Sequence, residues 1–102
     1  MENMKNMGGM MKQLRDMQKE LVKAQKELSK QTVTAEAADG AISVTVTGDQ
    51  KITDLTIKPA YLSTTATDKM EKDLKEVFNR ALEDSRKMAQ DRLGPLSQGL
   101  NL

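Results

Sequence analysis

Lys5, Lys12, Lys19 and Lys26 recur every seven residues, and Arg15, Lys23 and Lys30 flank them. Seven residues are close to two turns of an α-helix, so the four lysines would form one row along a single helix. An ammonium group on a flexible stem makes an undirected point contact. That chemistry suits a regular line of phosphates rather than catalysis. Like charges at i,i+4 oppose helix formation, and Arg15–Lys19, Lys19–Lys23 and Lys26–Lys30 each cost ~0.2–0.5 kcal/mol. Asp16, Glu20 and Glu27 can relieve them only in part, through i,i+3 contacts to Lys19, Lys23 and Lys30. A local rule broken without visible compensation marks a place where function is expected. The bland alternative is the solvated back of an ordinary amphipathic helix. The expected phosphate contacts are Lys12, Arg15, Lys19, Lys23 and Lys26, with Lys5, Lys30, Arg86, Lys87 and Arg92 as lesser candidates.

The helix that must carry the row is set by its apolar residues. Met7, Met10, Leu14, Met17, Leu21, Ala24 and Leu28 are spaced alternately by three and four, the a and d positions of a heptad seam. The lysines then fall at f, opposite the seam. The seam needs a mate, which is either a second copy of the chain or the broad apolar stripe of a later helix. Gly8 and Gly9 are poor helix formers, so a firm helix is expected from about Met10 to Ser29 or Lys30, with residues 1–8 flexible. The methionines crowded at the start read as plastic packing along the seam rather than as a soft-metal site.

Other chemistry is scarce. The chain of 102 residues has no Cys and no His, which removes thiolate chemistry, the commonest general base and the commonest metal ligand. Glu83 and Asp84 are adjacent and would point to different faces of a helix. Gly8-Gly9 lacks the preceding strand a phosphate loop needs. No catalytic set, metal site, cofactor or small-molecule substrate is expected. With one Phe, one Tyr and no Trp, the chain lacks the stacking platforms used for single strands. No apolar run approaches the ~20 residues that cross a bilayer, and the polar-interrupted start is unlike a signal peptide, so a cytoplasmic location is expected. Net charge is only +1, but residues 1–30 hold seven basic against four acidic residues, so the positive excess lies in the first helix.

After Lys30 the period changes from 3.6 to 2. Val33, Ala35 and Ala37 alternate with polar residues, Asp39-Gly40 is the signal for a type I′ hairpin, and Ile42, Val44 and Val46 alternate again. A loop at 39–40 places Ala37 opposite Ile42, Ala35 opposite Val44 and Val33 opposite Val46, all on one face. Gly48-Asp49 is compatible with a type II′ turn into a third strand, Lys51 to Lys58, with Leu55 opposite Ile42. Ile52 is out of phase with Leu55 and Ile57, which calls for a bulge or for a second apolar surface such as a partner subunit. A thin core in so small a chain favours a homodimer, with Val33, Ile42, Val44, Val46, Ile52 and Leu55 as the expected contact. Pro59 ends the strand, Tyr61 would pack over its end, and Ser63 to Thr67 read as a polar linker. Asp68 and Glu71 form a capping box for a second helix that Gly94-Pro95 would stop, leaving 95–102 flexible. Acidic residues precede basic ones by four along this helix, at Asp68–Lys72, Glu71–Lys75, Glu76–Arg80 and Glu83–Lys87, the favourable order. The expectation is one α+β domain over 1–102: helix, three-stranded antiparallel meander, helix.

Gly9-Met10-Met11-Lys12-Gln13 and Met17-Gln18-Lys19-Glu20, the hairpin from Asp39 to Gly48, Leu55-Thr56-Ile57-Lys58-Pro59 with Leu62, and Leu74, Val77, Asn79, Ala81 and Leu93-Gly94 together resemble the YbaB/EbfC family of bacterial nucleoid-associated proteins. The resemblance covers Gly9 to Leu100. It implies a tweezer-like α/β homodimer with projecting helical arms. It also implies a non-enzymatic role: binding double-stranded DNA in the nucleoid with little sequence specificity, nucleoid organisation and gene regulation. Two features depart from the family pattern: Lys58 stands where an Asp is usual, and the linker Ser63 to Thr67 is Thr-rich rather than acidic. The rival plan is a prefoldin-like interaction module, in which the two helices would pair in a long antiparallel coiled coil.

Overall fold

The computed structural model describes the backbone of residues 2–99 and the side chains of residues 8–96. The expectations for Lys5, for Met1, Met4 and Met7, and for the tail beyond Gly99 lie outside the described residues. The element order is α1 (Glu2–Leu28), β1 (Thr32–Ala37), β2 (Ile42–Thr47), β3 (Ile52–Ile57), α2 (Pro59–Thr64) and α3 (Thr67–Gly99). The strands form one antiparallel sheet in the order β1-β2-β3. A compact domain of this length has a radius of gyration of about 13 Å. This chain has 20.6 Å and principal extents of 76 × 19 × 16 Å, so it is a rod.

The first hairpin has the register its sequence dictates. Ala37 faces Ile42, Ala35 faces Val44 and Val33 faces Val46. Asp39 (φ 55) and Gly40 (φ 84) occupy the central positions of a type I′ turn, closed by Ala41 N–H donating to Ala38 O at 3.1 Å, and Ala38 before them (φ 54) is left-handed as well. On the opposite face the Thr34 and Thr45 hydroxyls share a 2.9 Å hydrogen bond.

The second turn differs from expectation. The left-handed residue is Gln50 (φ 66), not Gly48, so the loop has three residues rather than the two of a type II′ turn. A bulge follows: Thr45 pairs with Asp54 but Val46 pairs with Ile52, leaving Thr53 extra. The extra loop residue and the bulge each slide β3 by one. Leu55 therefore faces Val44, and Ile57 takes the place opposite Ile42. The bulge also returns Ile52 to the same face as Leu55 and Ile57.

Val77 and Ala81 of α3 cover Ala35, Ile42, Val44 and Val46, with Leu74, Phe78 and Leu82 at the margin. Arg80 fixes the helix over β1 by donating to Glu36 O at 2.8 Å. α3 packs on β1 and β2, and β3 lies beyond its cover. Ile52 and Leu55 therefore stay 51% and 48% exposed although they point to the core side.

Four boundaries move. α1 is already helical at Glu2 and runs through Gly8-Gly9, rather than starting at about Met10. Pro59 does end β3, but it then opens a short helix, α2, at a position where its missing N–H is no loss. The polar linker shrinks accordingly. α3 begins at Thr67, so Asp68 sits in its first turn, where a carboxylate favours the helix dipole, rather than at the cap. α3 also runs through Gly94-Pro95 to Gly99. Leu93, Gly94 and Leu96 are half-buried there, and this packing carries the helix past one missing hydrogen bond. Two of the four expected pairs close along α3, Glu76–Arg80 at 3.0 Å and Glu83–Lys87 at 3.8 Å.

Candidate nucleic-acid interface

The end of β2 is where the two long helices meet. Gly48 N–H donates to Leu28 O at 2.8 Å and to Gln31 O at 2.9 Å, capping the C-terminus of α1. A Cβ on Gly48 would lie 2.6 Å from Leu28 O and 2.9 Å from Leu28 Cβ, so only glycine allows this approach. One residue earlier, the fully buried Ser85 hydroxyl of α3 donates to Thr47 O at 2.6 Å. From this junction both helices leave the sheet together. Arg92 of α3 clamps Glu27 of α1 through Nε and Nη2, at 3.1 and 3.0 Å.

Burial along the heptad seam records where the partnership ends. Leu28 and Ala24 are buried, Leu21 and Met17 are half-buried, and Leu14 and Met10 are 51% and 62% exposed. The C-terminal half of the seam has the rest of the chain as its mate. Toward the N-terminus no described residue covers the seam at Leu14 and Met10, and this part of α1 projects as an arm.

The basic row runs along that arm. Lys12, Arg15, Lys19, Lys23, Lys26 and Lys30 are all exposed. Among the described residues no carboxylate comes within 4.0 Å of any of them. The expected relief by i,i+3 contacts does not form, and Glu27 turns to Arg92 instead of Lys30. Lys12 to Lys26 spans about 21 Å at 1.5 Å per residue. A shallow groove over the row is lined by Gly8, Met11, Lys12, Arg15, Asp16 and Lys19. The lesser candidates separate: Arg86 is exposed, Lys87 pairs with Glu83, and Arg92 is engaged by Glu27. Of the residues expected at a dimer contact, Ile42, Val44 and Val46 lie wholly within the chain's own core and Val33 is half-buried. Ile52 and Leu55 are the two that reach the surface.

The family model described as the YbaB/EbfC DNA-binding family matches residues 4–100. The chain belongs to that family. Proteins named nucleoid-associated protein are similar to it nearly end to end. One from Desulforamulus reducens is 37% identical, covering 95% of this chain and 92% of its own. One from Staphylococcus aureus is 39% identical over the same shares. A crystal structure of an uncharacterized Helicobacter pylori protein shares the fold, with a TM-score of 0.65 at 20% identity, covering 76% of this chain and 90% of that one. Membership favours this family over the prefoldin-like alternative, and the burial gradient agrees, because among the described residues the two helices of this YbaB/EbfC chain do not bury the seam along its whole length.

One polar cluster of the YbaB/EbfC chain was visible in the sequence only as a packing residue. Tyr61 of α2 packs against the core margin, and its hydroxyl donates to Asp73 Oδ2 at 2.5 Å. Lys69 Nζ reaches the same oxygen at 2.8 Å. Desolvation first, then the bond to Asp73 and its charge, push the Tyr61 hydroxyl up to about 12. The Lys69 bond first, and then the Tyr61 bond, hold the Asp73 carboxyl below its usual value. The sign follows from each direction. Tyr61 lends stability that is complete below about pH 10 and lost as pH rises toward about 12. Asp73 lends stability present at neutral pH and lost as pH falls through its lowered value. Tyr61 is the only Tyr and there is no Trp, so the tyrosinate absorbance of the whole protein reports this one group. Its midpoint is expected well above 10 in the folded protein and lower, though still raised by desolvation, after Asp73→Asn.

Proposed function

We propose that the protein is a homodimeric, non-enzymatic nucleoid-associated protein that binds double-stranded DNA with little sequence preference through the basic row of α1. The observation that carries this reading is a row of exposed cations, from Lys12 to Lys30, with no carboxylate partner among the described residues, on an arm that projects from the sheet. Lysines at heptad spacing match the phosphate line and hold no base-reading geometry, so contacts position the protein without specifying sequence. The family membership and the names of the relatives support the DNA partner and the nucleoid location; on this reading the protein helps organise the nucleoid and regulate gene expression.

Dimerisation is supported by surface left uncovered. Ile52 and Leu55 lie exposed on the edge strand β3, and Leu62 on the α2 that follows it is 54% exposed. The accessible surface is 7684 Å². A compact monomer of this mass exposes about 5,700 Å², so the excess leaves room for an interface of standard size. Two duplexes of unrelated sequence are expected to bind with affinities within about threefold of each other at one salt concentration, because the phosphate term is common to both. Retention of one and not the other would refute binding without sequence preference.

A further inference from the structure

We propose that the bare N-terminal half of the α1 seam is covered by the same seam of a second copy, in a contact separate from the β3 margin. Met10 and Leu14 are 62% and 51% exposed, with Met11 beside them at 61%, and the two continue without interruption the heptad whose later residues are half-buried and then buried. A strict three-four spacing is the pattern of a seam that meets another helix edge to edge. A solitary arm needs no such regularity.

Charge placement selects the occupant. With Leu14 and Leu21 at a and Met10 and Met17 at d, the seam is flanked at e by Met11, Gln18 and Gln25, and at g by Gln13, Glu20 and Glu27. Every basic residue from Lys12 to Lys30 lies at b, c or f. The flanks are thus almost neutral beside the exposed segment, and two such seams meet without burying a like-charge pair. A basic partner would find only Glu20 to pair with there, since Glu27 is held by Arg92, and an acidic partner would find no cation beside the seam. An uncharged, Met-rich edge fits another uncharged, Met-rich edge.

The pairing has a mechanical consequence that rests on the DNA-binding reading. Residues at f point away from the seam, so a pair of arms turns its two lysine rows to opposite sides of a bundle about 20 Å across. Each row then faces its own duplex, and the assembly ties two duplexes together.

The test uses the full chain and native mass by light scattering. Leu14→Glu keeps a good helix former at an exposed site, so helix content should be unchanged. The wild-type mass is expected to fall by about half in this variant, since one isologous interface is removed. An unchanged mass would overturn the proposal. Because the chain has no Cys, single-cysteine variants give a second readout. A short bis-maleimide should link Leu14→Cys efficiently and Lys12→Cys poorly, although both sites are exposed on the same arm. Equal linking at both sites, or none at either, would contradict it. These readouts need no DNA, so they stand apart from the outcome of any binding assay. With DNA, Leu14→Glu should still bind one duplex but no longer retain a second.

Discussion

Replacing Lys12, Lys19 and Lys26 together with Gln should flatten the salt dependence of duplex binding and weaken it on the order of a hundredfold near 0.1 M salt. Each phosphate neutralised by a lysine releases counterions and adds ~0.9 to the steepness of log K against log salt, so an arm without its three lysines is shallower by ~2.7. The fold should not suffer. The three side chains are exposed on the far side of the seam, Gln is a good helix former, and the change removes the Arg15–Lys19, Lys19–Lys23 and Lys26–Lys30 repulsions. A slight gain in thermal stability is the expected companion result. The corresponding change at Lys87, which pairs with Glu83, should have a much smaller effect on binding.

Gly48→Ala should be the most damaging single methyl in the molecule. The added Cβ meets the Leu28 carbonyl at 2.6 Å and the Leu28 side chain at 2.8 Å, so it collides with backbone rather than with the end of a flexible side chain. Relief requires the C-terminus of α1 to lift away, which breaks the Gly48 N–H bonds to Leu28 O and Gln31 O and uncovers Leu28 and Ala24. Overpacking of this kind, with loss of the capping bonds, costs about 2–4 kcal/mol. For a domain of this size that lowers Tm by roughly 10–25 °C. The variant should also lose DNA affinity beyond what its unfolded fraction explains, because the junction aims the arm. Thermal unfolding followed by circular dichroism, with duplex binding measured well below the transition, separates the two effects. A Tm within about 2 °C of wild type would show that the junction yields more easily than its geometry allows.

What could be read from the sequence was what is fixed locally. The first hairpin was legible because loop length and alternation are independent signals and point to one register. The basic row was legible because a heptad on an exposed helix needs no tertiary information. The register of β3 was not, since it depends on Gln50 adopting a left-handed conformation and on Thr53 standing out of the ladder, and neither residue type announces this. The reason for Gly48 was hidden for a related cause: its turn was visible, but the demand for glycine comes from Leu28, twenty residues earlier. Glu27 and Arg92 looked like members of two surface charge patterns and are instead each other's partners across the helix pair. The seam itself proved to be two surfaces, one buried within the chain and one bare, and only the length over which α3 accompanies α1 divides them.

The central claim is that the lysine row binds duplex phosphates. The most direct measurement is duplex affinity over a salt series, for the wild type and for the Lys12→Gln, Lys19→Gln, Lys26→Gln variant side by side. The predicted result is a steep negative log–log slope for the wild type, common to unrelated sequences, and a slope shallower by ~2.7 per engaged arm for the variant. Superimposable lines for the two proteins would contradict the account.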